Sequence, residues 1–278
     1  MKSSLSIFTA VLLAAPAIAQ DSAYLPAHGV TNTATSYVFQ TFEDFWVGKT
    51  KMTLPDDLTQ HVASLSFDYG LTEDVALDLT VGYIKTHFRL GNPTSLDGLN
   101  DTRVGVRWQW MREDADGQRP TLALRFGGII EGTYDTVGAD APINPGDGAS
   151  GFELSLLYGK RLADTVTLFG DIGYRNRAEN VPDDVYGSIA LAWDFHPRWV
   201  ATTGFRFNRG LNGLDIGGPG FDPTRFPEVK EQSQTIEAGL GYTLEGGKQL
   251  FVFVAKNVGN GRNVGDRTII GGSFGFQF

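Results

Sequence analysis

The feature that most restricts the fold of this chain is an alternation of apolar and polar residues with a period of two. From Val75 to Tyr83, every second residue is large and apolar or aromatic, and the residues between them are small or polar. Successive side chains of a β-strand point to opposite faces, so such a segment forms a strand with one apolar and one polar face. A sustained helical period is absent after the first twenty residues. The sequence therefore predicts an all-β fold.

About twelve segments carry this alternation, and the connections between them are of two kinds. Short turns at one end and long loops at the other are typical of outer-membrane barrels, whose short turns face the periplasm. The sequence predicts a closed antiparallel up-and-down transmembrane β-barrel, in which the last strand pairs with the first and leaves no edge in lipid. We place the segments at 33–42, 60–70, 75–88, 101–112, 119–131, 150–162, 165–177, 184–195, 198–208, 232–243, 248–257 and 266–278. The short turns are 71–74, 163–164, 196–197 and 244–247, and the long loops are 43–59, 89–100, 132–149, 178–183, 209–231 and 258–265.

Tryptophan and tyrosine residues collect at one end of the predicted strands. They lie beside short turns, where the amphipathic rings of a membrane barrel meet the lipid–water interface. A soluble β-sandwich would also show alternating strands, but it does not need such a girdle. The distribution favours a barrel surrounded by outer-membrane lipid. These residues are Trp108, Trp110, Trp193, Trp199, Tyr69, Tyr158 and Tyr242.

The N-terminus has the pattern of a secretory signal peptide. Lys2 precedes a short apolar run, and Ala17-Ile18-Ala19 provides small residues at a cleavage site. We expect residues 1–19 to be removed and residues 20–278 to form a single barrel domain. The chain has no cysteine, which excludes disulfides, a thiolate metal site and a lipid-anchoring cysteine. Its formal net charge of −9 argues against nucleic acid as a partner.

Charged residues of the strands fall almost wholly on the face predicted to line the lumen. Acids and bases are nearly equal in number, and two interpretations remain open. They can create a transverse field that orients solutes in a narrow pore, or they can pair across the lumen and hold the cylinder together. The predicted lumen residues are Asp68, Asp78, Glu131, Glu153, Asp171, Asp194, Glu237, Arg103, Arg107, Arg125, Arg175, Arg177, Arg206, Lys256 and Arg267.

The connection at 209–231 contains large apolar residues among its glycines and prolines. A freely solvated loop has little reason to hold them, so we expect the loop to fold over or into the pore mouth. Leu214, Phe221 and Phe226 are the residues that we expect to constrict it. The alternative is a loop that packs on its neighbours outside the barrel.

Several stretches resemble the outer-membrane family named for the phenol-degradation meta-pathway (MetA), whose members are described as transporters. The resembling pieces are residues 69–77, 98–107 and the hairpin 151–175. The resemblance implies an outer-membrane barrel and uptake of small solutes, including aromatic ones, and implies nothing about catalysis. The alternating aromatic C-terminus, which ends on Phe278, resembles the signal by which the barrel-assembly machinery recognises its clients.

Three functions remain open from the residues alone. The first is a passive channel for small solutes, because a polar, glycine-lined lumen is unnecessary in a scaffold. The second is a non-conducting structural or surface-recognition barrel that acts through its outer loops. The third is a barrel-embedded hydrolase, but two positions after His61 and His87 stand Ala63 and Arg89 rather than a serine nucleophile. We predict a monomer with no enzymatic activity, no cofactor and no metal site.

Overall fold

The computed structural model describes residues 22–90, 92–114, 117–134 and 145–278, so the predicted signal peptide lies outside the described residues. Within these residues, the strands form one antiparallel sheet. The helices described there are two short 3-10 helices, Pro223–Glu228 and Glu245–Gly247. None of the described helices is long and apolar enough to cross a membrane. The strands are β1 (Thr31–Val47), β2 (Thr50–Gly70), β3 (Val75–Leu90), β4 (Asn92–Leu99), β5 (Thr102–Met111), β6 (Thr121–Ile130), β7 (Gly151–Ala163), β8 (Val166–Arg177), β9 (Asp184–His196), β10 (Trp199–Gly210), β11 (Gln232–Thr243), β12 (Gln249–Asn257) and β13 (Thr268–Gln277).

The sheet closes on itself because its first and last strands pair. β1 runs antiparallel to β13, in register from Asn32 opposite Gln277 to Thr41 opposite Thr268. β4 and β5 lie end to end beside β3, where β4 pairs with the outer half of β3 and β5 pairs with Val75–Thr80. β4 and β5 together fill one position in the ring. The 13 strands therefore form a closed barrel with 12 strand positions, one of which holds the extra strand. The predicted fold is confirmed.

Two of the predicted long loops are wrong, because most of their residues form strands. Residues 43–59 belong mostly to β1 and β2, which are joined by a turn at Gly48 and Lys49, and Gly48 takes the left-handed φ of 57°. Residues 92–99 form β4 rather than part of a loop. Both hairpins continue past the apolar band of the barrel, and there Phe42 and Leu58 pack in a buried apolar cluster on the inner side. The outer side is polar and in water, as at the exposed Asp57, so the polarity of the two faces is the reverse of that in the membrane and the alternation does not continue in phase.

The outward face of the barrel is apolar and exposed. Alternate side chains such as Leu79 and Val252 project away from the lumen and remain exposed. A folded protein rarely leaves so large an apolar surface in water, so this band faces lipid. At its short-turn end lie the predicted aromatic residues, with the rings of Trp199 and Tyr242 packed at a centroid distance of 4.6 Å.

The assignment of faces predicts opposite outcomes for two neighbouring residues. We expect Leu79→Arg to lower the free energy of unfolding by about 2–4 kcal/mol, the cost of a cation on the lipid face near the middle of the membrane. Thr80→Arg is the control, because Thr80 lies on the lumen face, where a guanidinium group stays hydrated; we expect it to cost far less. Urea unfolding in lipid vesicles measures both values. Equal losses in the two variants would mean that the faces are assigned incorrectly.

Candidate functional site in the lumen

A network of ion pairs runs along the lumen wall across neighbouring strands. Asp78, Gly105, Gly127 and Glu153 occupy one register row across β3, β5, β6 and β7. Arg125 lies between the two carboxylates: its Nη2 is 2.6 Å from Asp78 Oδ1, and its Nη1 pairs with Glu153. A Cβ at Gly105 would lie 2.6 Å from Asp78 Oδ2, and a Cβ at Gly127 would lie 2.6 Å from Arg125 Nη1. The two glycines therefore provide the room that the network needs.

Two further arginines extend this network. Arg103 Nη2 lies 2.6 Å from Glu153 Oε2, so the fully buried Glu153 carboxylate holds two guanidinium groups. Arg107 pairs with Asp68, and its Nε lies 4.0 Å from Asp78 Oδ2. Six predicted lumen residues are thus brought into one network.

Nearer the long loops, two more predicted arginines pair with acids on adjacent strands. Arg206 Nη2 lies 2.6 Å from Glu237 Oε2, and Arg175 Nη2 lies 2.9 Å from Asp184 Oδ2. Asp184, which was not predicted to line the lumen, begins β9 directly opposite Arg175. A residue at a strand boundary cannot be given a face from alternation alone, because boundaries are uncertain by two or more residues.

The partners in these ion pairs differ in exposure. Toward the long-loop end the guanidinium groups face the lumen: the Arg206 side chain is 35% exposed and that of Glu237 is 3%, while Arg103 is 31% exposed over its buried partner. Toward the short-turn end the order is reversed, with Asp68 at 26% and Arg107 at 1%. In these pairs the more exposed partner is therefore a cation toward the long loops and an anion toward the short turns.

Two residues assigned to the lumen from the sequence lie elsewhere. Lys256 is exposed on the same face of β12 as Val252, so its prediction as a lumen residue is wrong. The alternation fails on β12 because Phe251 and Phe253 are also apolar, and these are the side chains that point inward and are buried. Glu131 follows the end of β6 and is exposed at the rim.

Three predicted residues face the lumen outside the network. Asp171 accepts a hydrogen bond from the Ser188 hydroxyl. Asp194 lies half-buried near the short-turn end of β9. Arg267 immediately precedes β13, and its buried Nε has no hydrogen-bond partner among the described residues.

The segment before β1 enters the short-turn end of the lumen. The buried Arg107 guanidinium donates from Nη1 to the Ser22 carbonyl oxygen at 2.8 Å, and Gln109 Nε2 donates to the Ala23 carbonyl oxygen at 2.7 Å. Each side chain satisfies a backbone group that has no strand partner. Residues 22–27 therefore occupy part of the lumen at the short-turn end.

The barrel wall around this segment is apolar. Ala23 packs with Ala123 and Leu157, and the Tyr24 ring meets Phe169 edge-on at a centroid distance of 6.3 Å. A water-filled lumen does not need large apolar residues on its inner face. The large apolar residues Leu157 and Phe169 at inward positions were thus a signal in the sequence for an inserted segment, although the segment was not predicted.

The connection between β10 and β11 packs over the outer mouth and is held there by Asn263. The buried Asn263 Oδ1 accepts the N–H groups of Gly48 at 2.7 Å and Ile216 at 3.2 Å, and its Nδ2 donates to the Lys230 carbonyl oxygen at 2.8 Å. Asn263 has a φ of 51°, a left-handed conformation that asparagine tolerates better than most residues. One side chain thus joins three outer segments.

An ion pair supports the same loop. Asp215 Oδ1 lies 2.6 Å from Arg262 Nε, and the hydrogen bonds from Arg262 lower the pKa of Asp215 to about 2. A carboxyl group with a lowered pKa contributes stability above its unfolded pKa of about 3.9, and this contribution is lost as the pH falls toward 2. The anchor is therefore intact at neutral and mildly acidic pH.

Two cavities follow one another beneath this loop. The outer cavity has a volume of about 240 Å³ and is lined by Phe42, Phe45 and Phe226 together with polar groups. Phe221 packs edge-on against Phe226 at 5.2 Å, whereas Leu214 pairs with Val229 within the loop. The central cavity has a volume of about 300 Å³, and Arg103, Asp171 and Arg206 are among the side chains that line it. Arg267 lines both cavities.

The closed barrel, its apolar outer band and its aromatic girdle define a class: this chain is a multi-pass β-barrel of the outer membrane. Residues 34–273 match the family described as "Putative MetA-pathway of phenol degradation", and the chain belongs to this family. No curated protein matches the chain.

Solved structures share this fold at low sequence identity. An outer membrane channel from Pseudomonas putida F1 is 16% identical with a TM-score of 0.70, and the match covers 92% of this chain and 97% of the channel. The translocator domain of the autotransporter NalP from Neisseria meningitidis is 14% identical with a TM-score of 0.53, covering 91% and 90%. The NanC porin is 8% identical with a TM-score of 0.53, covering 88% and 98%. These likenesses concern the fold.

Proposed function

We propose that the protein is an outer-membrane channel through which small solutes, including small aromatic or hydrophobic compounds, diffuse passively along a narrow lumen of balanced charges. The observation that carries the proposal is the pair of cavities that succeed each other inside the closed barrel. A scaffold has no use for polar space of this kind, and the Pseudomonas putida protein of the same fold is a channel.

Planar-bilayer recording of the refolded chain tests this proposal. Discrete current steps that scale with salt concentration are expected. A folded barrel that gives no current above the lipid background would refute it. Folding is verified separately by the faster migration of the unboiled protein in detergent gels, because a closed barrel resists unfolding by detergent alone.

The outer loop is proposed to limit the current, which gives a second test. Replacing residues 212–228 by a short Gly-Ser turn removes Leu214, Phe221 and Phe226, of which Phe226 lines the outer cavity. We expect the single-channel conductance to rise, because the mouth widens while the strands are unchanged. Asn263→Ala, which leaves the loop sequence intact but removes its anchor, is expected to give a more variable current. An unchanged conductance in the loop variant would remove the loop from the transport path.

A non-conducting barrel that acts through its outer loops is the second candidate, supported by the N-terminal segment at the short-turn end of the lumen. Absence of current in the recording described above supports this candidate. We propose that the protein is not an enzyme. His61, which was considered as a catalytic base, lies on the outward face of β2, away from the cavities. Its Nδ1 is 2.6 Å from the Tyr37 hydroxyl.

A further inference from the structure

A cation without an acidic partner lies where the two lumen cavities meet. Arg267 lines both the outer and the central cavity, forms no ion pair with any described residue, and has a buried Nε without a hydrogen-bond partner. A guanidinium group is always charged and presents its donors in a fixed fork that matches a carboxylate. Leaving such donors unsatisfied is costly, so this position favours an anion.

Other cations line the space on either side of Arg267. In the central cavity, Arg103 and Arg206 expose their guanidinium groups while their acidic partners are buried behind them. Above the outer cavity, a cavity of about 240 Å³ among the loops shares Glu231 with it and is otherwise rich in bases. These bases are Lys49, Arg209, Lys230 and Arg262, of which Lys230 and Arg262 share Asp215 as their acidic partner. Positively charged side chains therefore continue from the loops to the middle of the lumen, which raises the local concentration of anions.

The acids near this route do not neutralise Arg267. Asp147 lines the outer cavity but is paired with Arg177. Asp171 lines the central cavity and accepts a hydrogen bond from Ser188. Glu231 lies on the side of the outer cavity that adjoins the cationic loop cavity.

The rest of the outer cavity suits an aromatic ring. Phe42 and Phe45 pack at a centroid distance of 6.0 Å, and Phe226 faces the same space from the loop. Below them, Gln60 Nε2 donates to the Thr86 hydroxyl at 2.9 Å, so these polar groups already have partners. Sites for drug-sized ligands usually measure about 300–1,000 Å³, so a smaller space accommodates a single ring.

We propose that Arg267 and the phenylalanines of the outer cavity form a binding site for small aromatic carboxylates on the way into the lumen. The carboxylate accepts hydrogen bonds from the Arg267 guanidinium group, and the ring packs against Phe42, Phe45 and Phe226. This inference rests on the proposed channel function and names its solute class.

Three probes separate the contributions of charge and ring. Benzoate has both groups, benzyl alcohol has the ring without the charge, and acetate has the charge without the ring. We expect benzoate to bind the detergent-solubilised chain in calorimetry and to interrupt the bilayer current. Benzyl alcohol and acetate are expected to bind at least tenfold more weakly.

Matched variants assign the effect to this site. Arg267→Met is expected to weaken benzoate binding at least tenfold, and Arg267→Lys is expected to retain part of the affinity. Lys256→Met is the control, because it removes one cation from the adjacent strand on the outward face. Phe226→Ala is expected to weaken benzoate binding and leave acetate unchanged. Unboiled gels verify that each variant is folded.

The outcomes distinguish this inference from the channel proposal. A conducting barrel that binds benzoate equally well with and without the Arg267 side chain would overturn the site and leave the channel standing. A folded barrel without current that binds benzoate through Arg267 would refute the channel and keep the site. If Arg267→Met and Lys256→Met weaken benzoate binding equally, the binding depends on the net charge of the protein and not on this site. That result would also overturn the site.

Discussion

A chain that starts at Val30 is expected to conduct several-fold more current in planar bilayers than a chain that starts at Ser22. Residues 22–27 occupy the short-turn end of the lumen, where Arg107 and Gln109 bind their carbonyl oxygens. Removing the segment opens this end, and the conductance of a pore depends on its narrowest part. Every strand is retained, because β1 starts at Thr31.

A point variant tests the same idea without shortening the chain. Gly70 N–H donates to the Val30 carbonyl oxygen, and a Cβ at Gly70 would lie 2.2 Å from the Ala27 carbonyl oxygen. Gly70→Val in the chain that starts at Ser22 is therefore expected to displace the segment and raise the conductance toward that of the truncated chain. Identical conductance in all three chains would mean that the segment does not obstruct the path.

Glu153→Ala is expected to lower the free energy of unfolding by about 3–5 kcal/mol, the usual loss when one partner of a buried ion pair is removed. The Glu153 carboxylate is fully buried and holds the guanidinium groups of Arg103 and Arg125. Without it, the buried Arg125 keeps its ion pair with Asp78 but loses its partner on β7. Urea unfolding in lipid vesicles gives the difference.

A second variant tests whether the loss in Glu153→Ala comes from the buried charge that is left unpaired or from the loss of any one ion pair. Arg103→Met removes the exposed member of the same pair, and Glu153 keeps Arg125 as its partner. We expect a smaller loss than for Glu153→Ala, because the buried carboxylate keeps one guanidinium partner and no buried charge is left unpaired. If Glu153→Ala costs no more than Arg103→Met, the network does not stabilise the barrel.

The sequence predicts the membrane-spanning part of the fold because lipid and lumen impose opposite chemistry on alternate residues. Val75–Tyr83 shows this most clearly, with Ala76 buried inside and Leu77 exposed outside. The same rule fails where the two faces do not meet lipid and lumen water in this way. The outer parts of β1 and β2 turn apolar residues inward and polar ones to the solvent, and both faces of β12 are apolar.

The candidate site was predictable as a set of residues but not as an arrangement. Alternation places Arg125 and Glu153 on the lumen face, but it contains no information about which charges pair across strands. That depends on register, and the Gly105 and Gly127 positions that make room for Arg125 follow from register too. The unpaired state of Arg267 and the insertion of residues 22–27 are likewise products of packing between distant segments.

The length of β2 determines how the entrance is built. Its 21 residues extend over roughly 70 Å at about 3.3 Å per residue, whereas the apolar band of such a barrel is about 25 Å tall. Even with the strand tilt, a large part of the β1–β2 hairpin stands outside the membrane as a rigid ribbon. The β10–β11 loop is fastened to this ribbon through Gly48 and Asn263. The loop that covers the mouth is thus attached to a rigid support rather than free to swing, so we expect its position to change little when the cavity beneath it is filled.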